Sequence, residues 1–293
     1  LDKIDKSGMY KIYDSWPELA EENYNRDVTK NNCDKPTHII FVGMGGSGAI
    51  SDMFAAILSK INIHVEVVKG YHLPKTASKE TLVITTSVSG NTIETLNVLI
   101  AAKKLDCKII AFSNGGQMEK YCKKESIDFR RILKVHSPRA SFVSFLFGML
   151  KELESILPIN KNEILEAINE LKKIREFICS KNLNHTNIAI DLANEIKEIP
   201  IIYYPWGLQA ASIRFKNSLQ ENSKIHVITE DIIEASHNGI VAWKNKDIKK
   251  PILIQGKDDF IKTKERWNVI KKFFQQNNIE YKEIFSVSGG ILT

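Results

Sequence analysis

Two short stretches of this chain gather glycines and hydroxyl groups just where an apolar run gives way to polar residues. The first is Gly43-Met44-Gly45-Gly46-Ser47-Gly48 and the second is Thr85-Thr86-Ser87-Val88-Ser89-Gly90-Asn91-Thr92. Each stands between an apolar stretch and an amphipathic one, so each is expected at the carboxyl end of a strand and the start of a helix. A helix N-terminus offers unpaired backbone N–H groups and a positive partial charge, and hydroxyls beside it add further donors. That combination suits a phosphate monoester. One helix cap accounts for one hydroxyl, not for Ser87, Ser89 and Thr92 together. The first stretch also satisfies GxGxxG, and Glu66 follows its last glycine by the roughly 20 residues of a dinucleotide fingerprint. A dinucleotide-binding turn is therefore an alternative reading, and a tight turn that simply needs small residues is a third. A dinucleotide site would have no use for the hydroxyl-rich second stretch.

These turns need a scaffold, and the hydrophobic pattern supplies one. Thr37 to Gly45, His64 to Val68, Thr81 to Asn91 and Lys108 to Asn114 read as strands, most of them continuous apolar runs of the kind buried on both faces of a parallel sheet. Helical spacing lies between them, with Ile50, Phe54, Ile57 and Leu58 on one face and Ile93, Leu96, Leu99 and Ile100 on another. Ser141 to Leu150 reads as a core helix. Lys151 to Lys161 reads as a connection, and Ile164, Leu165, Ile168, Leu171, Ile174 and Ile178 then mark one long helix. The pattern restarts with strands at Ile199 to Tyr204, Lys224 to Thr229, Pro251 to Gly256 and Tyr281 to Phe285. Between them lie a helical stripe of Ala211, Phe215 and Leu219 and a helix around Thr263 to Phe274. The expected fold class is α/β: two doubly wound parallel-sheet lobes, each a three-layer α/β/α sandwich, near 1–155 and 156–293.

Composition bounds the function. The 293 residues are 43% apolar and 26% charged, which is ordinary for a globular protein. A net charge of +6 is too mild for a dedicated nucleic-acid binder. No apolar run approaches the roughly 20 residues that span a bilayer. The N-terminus lacks an apolar signal region and does not begin with Met, so a cytoplasmic protein with a trimmed or incomplete N-terminus is expected. Cys33, Cys107, Cys122 and Cys179 form no CxxC pair, and the histidines show neither HExxH nor HxH, so neither disulfides nor a metal is expected.

GMGGSGAISDM, TTSVSGNTIETL and FSNGG together resemble the sugar isomerase (SIS) domain. SPRASF (Ser137 to Phe142), WGLQAASIRFKNSLQENSK (Trp206 to Lys224) and EASHNG (Glu234 to Gly239) extend the likeness. Taken in order, these motifs resemble the archaeal-type bifunctional phosphoglucose/phosphomannose isomerase family, from about Phe41 to Trp243. The resemblance implies that Gly46, Ser47, Ser87, Ser89 and Thr92 hold a sugar phosphate. It implies that Arg139 lies by the sugar carbons, that Glu221 is the proton-transferring base, and that His237 assists ring opening. It further implies two SIS-like lobes, the second without its own phosphate loop, a hexose 6-phosphate substrate, no cofactor, and a homodimer. The family continues with a helical segment that contributes a lysine; this sequence ends at Thr293, and no residue is assigned that role.

These residue types fit the chemistry. A carboxylate of tuned pKa can move a proton between C2 and C1 of an opened sugar, a guanidinium can stabilise the oxyanion, and an imidazole can carry a hydroxyl proton. Each also has an ordinary reading: Glu221 as a solvated helix-end acid, His237 paired with a nearby acid, Arg139 in a surface or interlobe ion pair. The rival functions are a non-enzymatic sugar-phosphate sensor, which would not need Glu221 and His237 together, and a NAD(P)-dependent oxidoreductase built on Gly43 to Gly48.

Overall fold

A computed structural model describes residues 1–28, 35–196, 198–244, 250–287 and 289–293. Cys33 lies outside the described residues. The chain divides into two compact units, Leu1–Ser180 with Leu292 and Lys181–Ile291 with Thr293.

The first unit contains α1 (Met9–Asp14), α2 (Trp16–Asn25), β1 (His38–Val42), α3 (Gly45–Leu58), β2 (His64–Val68), β3 (Leu82–Ser87), α4 (Ile93–Lys104), β4 (Lys108–Ser113), α5 (Gly116–Lys124), β5 (Asp128–Arg131), α6 (Phe142–Glu152) and α7 (Lys161–Ile178). Its five strands pair in parallel in the order β2-β1-β3-β4-β5. Because side chains alternate along a strand, Ile39, Phe41, Leu82, Ile84 and Phe112 enter one core with α2, α3, α6 and α7. Ile40, Val42 and Val83 enter a second core with Val98 and Ala102 of α4, and Ala111 meets Met118 and Cys122 of α5 in a third. Both faces of the sheet are thus covered by helices. From Phe142 to Leu150 every residue of α6 is buried, as for a helix apolar on all sides.

The second unit contains α8 (Ile188–Glu195), β6 (Ile201–Tyr204), α9 (Gln209–Ser218), a π-helical turn (Leu219–Ser223), β7 (Ile228–Asp231), α10 (Ile232–Ala235), a 3₁₀ turn (Gly239–Lys244), β8 (Ile252–Gln255), α11 (Ile261–Gln276) and β9 (Lys282–Phe285). Its parallel sheet runs β7-β6-β8-β9. Tyr203 and Leu253 pack with Trp243, Trp267 and Phe274 on one face, and Ile202, Ile252 and Ile254 with Leu192 and Phe215 on the other. Both units are three-layer α/β/α sandwiches. No helix among the described residues is long and apolar enough to cross a membrane.

Three details differ from the sequence pattern. The division falls at Ser180/Lys181 rather than near residue 155, because α7 packs on the first unit. Ile164 and Ile168 enter that unit's core, the Arg175 guanidinium bonds the Glu18 carboxylate at 3.0 Å, and the Ser180 N–H donates to the Asp14 carboxylate at 3.0 Å. The strand expected from Lys224 begins only at Ile228, since Lys224 adopts the left-handed region at φ 59° to end the π turn and the next residues return to the sheet. Strand β5 gave no apolar signal: its sequence is Asp-Phe-Arg-Arg at the edge of the sheet, where charge is tolerated.

Candidate active site

In the first unit, β1 connects outwards to β2 on one side while β3, β4 and β5 continue on the other, so the strand order reverses between β1 and β3. The crevice outside the carboxyl ends at such a reversal is where open α/β sheets bind ligands. Both hydroxyl-bearing stretches arrive there, because Val42 of β1 is in register with Thr85 of β3.

The turn after β1 leads directly into α3, whose N-cap, Met44, supplies no side-chain cap. Its glycines divide by purpose. A β-carbon on Gly43 would lie 2.8 Å from the Ser47 backbone, and one on Gly48 would lie 2.9 Å from the Gly43 carbonyl oxygen, so these two are required by packing. Gly45 (φ 55°) and Gly46 have nothing within 4 Å of such a carbon, which leaves the front of the turn open to a ligand. Ser47 is buried in the first turn of α3.

The second turn follows β3. Ser87 ends the strand and is buried; its Oγ accepts from the Gly90 N–H at 3.1 Å and lies 2.9 Å from Thr92 Oγ1. Ser89 is exposed, and its Oγ accepts from the Asn91 N–H at 3.2 Å. Thr92 is the N-cap of α4, yet its side chain makes no cap hydrogen bond. Two neighbouring helices therefore present N-termini without a side-chain cap beside Ser47, Ser87, Ser89 and Thr92. Capping does not account for these hydroxyls.

Contacts with the turn after β4 hold this turn in place. Asn91 Oδ1 accepts from the Gln117 N–H at 3.0 Å, the Met118 N–H donates to the Gly90 carbonyl at 2.9 Å, and the Asn114 N–H to the Val88 carbonyl at 3.2 Å. Lys69, one residue past β2, donates to the Asp52 carboxylate of α3 at 2.5 Å. Burial pushes the Asp52 carboxyl up, and the Lys69 ammonium opposes that rise. Lysine at a strand end has no local pattern to mark it.

Arg139 precedes α6, half-buried, with its Nε donating to Met9 Sδ at 3.4 Å. Its loop is firmly held: the Trp16 indole N–H donates to the Ala140 carbonyl at 2.9 Å, and Ser141 Oγ donates to the Val135 and Ser137 carbonyls.

In the second unit Glu221 lies at the centre of the π-helical turn that extends α9. Such turns are rare and recur at functional sites. Glu221 is half-buried, and its carbonyl accepts from Lys224 Nζ at 2.7 Å. His237 follows α10 and is exposed; its backbone N–H donates to the Glu234 carbonyl at 2.9 Å. Among the described residues no side chain hydrogen-bonds its imidazole. Chain direction separates the two groups. Helix α9 runs back from the carboxyl end of β6 towards the amino end of β7, so Glu221 belongs to one end of this sheet and His237, beyond the carboxyl end of β7, to the other.

The three neighbouring acids have structural roles. Asp231 caps α10 by accepting from the Ile233 and Glu234 N–H groups. Glu234 accepts from Asn238 Nδ2 at 2.9 Å. A β-carbon on Gly239 would lie 2.8 Å from the Glu230 carboxylate, so the histidine loop rests on that group. Glu66, the acid of the dinucleotide alternative, lies in the middle of β2, and its carboxylate is bonded by Thr76 and His38. It is not at the carboxyl edge where a ribose would need it.

Known proteins are similar to this chain in sequence and in fold. Residues 34–133 match the SIS domain, and residues 185–293 match the bacterial phospho-glucose isomerase C-terminal SIS domain. A bifunctional phosphoglucose/phosphomannose isomerase of Caldicellulosiruptor bescii is 32% identical over 76% of this chain and 67% of its own length. The chain belongs to the bifunctional phosphoglucose/phosphomannose isomerase family. The family enzyme of Aquifex aeolicus is 29% identical over 91% of this chain and 81% of its own. In fold, the chain is similar to the C-terminal domain of glucosamine-fructose-6-phosphate aminotransferase from Francisella tularensis, at TM-score 0.67 and 17% identity over 97% of this chain and 90% of that one.

Proposed function

We propose that this protein is an aldose–ketose isomerase of the cytoplasm that interconverts glucose 6-phosphate and mannose 6-phosphate with fructose 6-phosphate. The observation that carries the reading is the pair of helix N-termini without side-chain caps at the β1/β3 reversal, with Ser47, Ser87, Ser89 and Thr92 beside them, in a member of this family. Those hydroxyls, with the open backbone at Gly46, hold the phosphate through charge-assisted hydrogen bonds.

The sugar ring is opened with His237 as acid–base catalyst, because imidazole exchanges protons near neutral pH. Glu221 takes the proton from C2 and returns it to C1, through a cis-enediol(ate). Arg139 stabilises the oxyanion that develops in that intermediate and not in the substrate, which is where such a charge lowers a barrier. This proton transfer draws on no redox cofactor. The protein acts as a homodimer in which His237 of one protomer completes the site of the other. The opposite placement of Glu221 and His237 on the second unit's sheet supports that sharing, and two-fold assembly is the common case among soluble oligomers.

The test is a coupled assay of the purified protein with each of the three hexose 6-phosphates, alongside thermal shifts with fructose 6-phosphate and NAD(P). Turnover of both aldose phosphates is expected. Saturable fructose 6-phosphate binding without turnover would establish the sensor reading instead, and stabilisation by NAD(P) alone would establish the oxidoreductase.

A further inference from the structure

At the amino end of the first sheet, away from the phosphate loops, three ligand-type side chains converge on one point. His38 begins β1, His64 begins β2, and the two are register partners. Glu66 is two residues beyond His64, so it projects from the same face of β2. His38 Nε2 is 3.1 Å and His64 Nε2 3.5 Å from Glu66 Oε1, and the three ligand atoms lie within 4.8 Å of one another. We propose that His38, His64 and Glu66 bind a divalent transition-metal ion, with zinc(II) the ion their ligand set fits, and that the ion fastens the edge strand β2 to β1.

The geometry supports the assignment. For zinc at 2.0–2.1 Å from nitrogen and 2.0–2.2 Å from oxygen, the edges of a tetrahedron are roughly 3.3 Å. The two measured nitrogen–oxygen separations bracket that value. Two imidazoles and one carboxylate satisfy three positions, and water can take the fourth, since the His64 side chain is 65% exposed. The orienting contacts a metal site needs are also present. His38 Nδ1 lies 3.1 Å from Thr81 Oγ1, and that hydroxyl accepts from the Ser78 N–H at 2.9 Å. With Nδ1–H donating to the hydroxyl, Nε2 presents its lone pair to the metal. Thr76 Oγ1 donates to Glu66 Oε1 at 2.5 Å.

The location explains what the ion would do. Strand β2 is the edge of the sheet, paired on one side only. Five residues of β1 put the cluster about 13 Å from the phosphate end. Binding there stabilises the fold and leaves the sugar site alone.

The experiment titrates the full chain, freed of metal by chelator and dialysis, with Co²⁺ as spectroscopic probe and then with Zn²⁺ as competitor. One equivalent of Co²⁺ is expected, with the strong visible bands of a four-coordinate ion, displaced by one equivalent of Zn²⁺. The melting temperature should rise with Zn²⁺. His64→Ala, at an exposed position, and Glu66→Gln should each weaken binding by at least the roughly 10–100-fold that loss of an orienting partner costs, and should abolish the zinc-induced shift. Isomerase turnover by both variants should match the parent at 25 °C. Binding undiminished in His64→Ala, a sulfur-to-cobalt charge-transfer band marking cysteine as the ligand, or no stoichiometric binding at micromolar metal each overturns the proposal.

Discussion

Gly90 lies directly against Gly115: a β-carbon on Gly90 would stand 2.7 Å from the Gly115 carbonyl carbon and closer still to its oxygen. The turn after β3 and the turn after β4 are thus one interlocked structure, and Gly90 also needs the left-handed backbone at φ 70°. Gly90→Ala should cost at least the 1–3 kcal/mol of overpacking, at about the level seen for crowded cores. Phosphosugar affinity should fall with stability, since the same backbone carries Ser87 and Ser89. Denaturant melts and calorimetric binding of fructose 6-phosphate check both effects, and an unperturbed variant would show the contact to be easily relieved.

Ser87 and Ser89 to Ala separates phosphate recognition from folding. Ser89 is exposed, and losing its hydroxyl leaves no buried group unpaired. Loss of the Ser87 hydroxyl takes a partner from Thr92 Oγ1 and one of two acceptors from the Gly90 N–H, which keeps the Ser87 carbonyl at 3.0 Å. Hydrogen bonds to a charged partner contribute roughly 1.5–3 kcal/mol each. Fructose 6-phosphate binding by the double variant should weaken by a few kcal/mol on that scale. Unchanged affinity in a folded double variant would sink the phosphate site.

The two hydroxyl-bearing turns were legible in sequence because they are local: glycines and hydroxyls at a strand end need only a few consecutive residues. The parallel sheets were legible because continuous apolar runs such as Ile39 to Val42 and Leu82 to Ile84 have one economical use. What could not be read is whatever depends on pairing across the sheet. His38 and Glu66 are far apart in the chain and meet only because β1 and β2 take a particular register. The placement of α7 was lost for the same reason: its partners, Asp14 and Glu18, are on the first helices. The π turn around Glu221 had no pattern of its own, since the stripe Ala211, Phe215 and Leu219 reads simply as α-helix.

The loop bearing His237 has a pH sensitivity that follows from Glu230. Burial first, then the charges of Glu234 and Asp231, raise the Glu230 carboxyl above the ordinary glutamate range. A raised carboxyl binds its proton more tightly folded than unfolded. Its stabilisation is therefore complete at low pH and is lost as pH rises through the folded-state value. Glu230→Gln keeps the shape beneath Gly239 but cannot ionise. Relative to the parent, it should gain stability at pH 7 and show little gain at pH 4, as measured by urea unfolding at both. A gain that grows on acidification would reverse the assignment.

The last prediction joins the base to the shared site. A carbon-bound proton is weakly acidic, so the group that removes it must be held close and poised in pKa. In the second unit the neighbouring acids are already engaged: Asp231 as helix cap, Glu234 with Asn238, Glu230 beneath the histidine loop. Glu221, on its π turn, is the acid that the family resemblance assigns as the base. Glu221→Gln should lower turnover by ~10²–10⁴-fold, the range for losing a general base, with fructose 6-phosphate affinity retained. Deuterium at C2 of glucose 6-phosphate should wash out in the parent and persist in the variant. His237→Ala should be inactive for a different reason, having lost ring opening on a site to which the other protomer contributes. Mixing the two inactive proteins under conditions that exchange subunits should therefore restore activity, because each hybrid dimer rebuilds one site with both groups intact. Subunit exchange verified by mass, with no activity regained, would place both groups in the same protomer's site and end the shared-site mechanism.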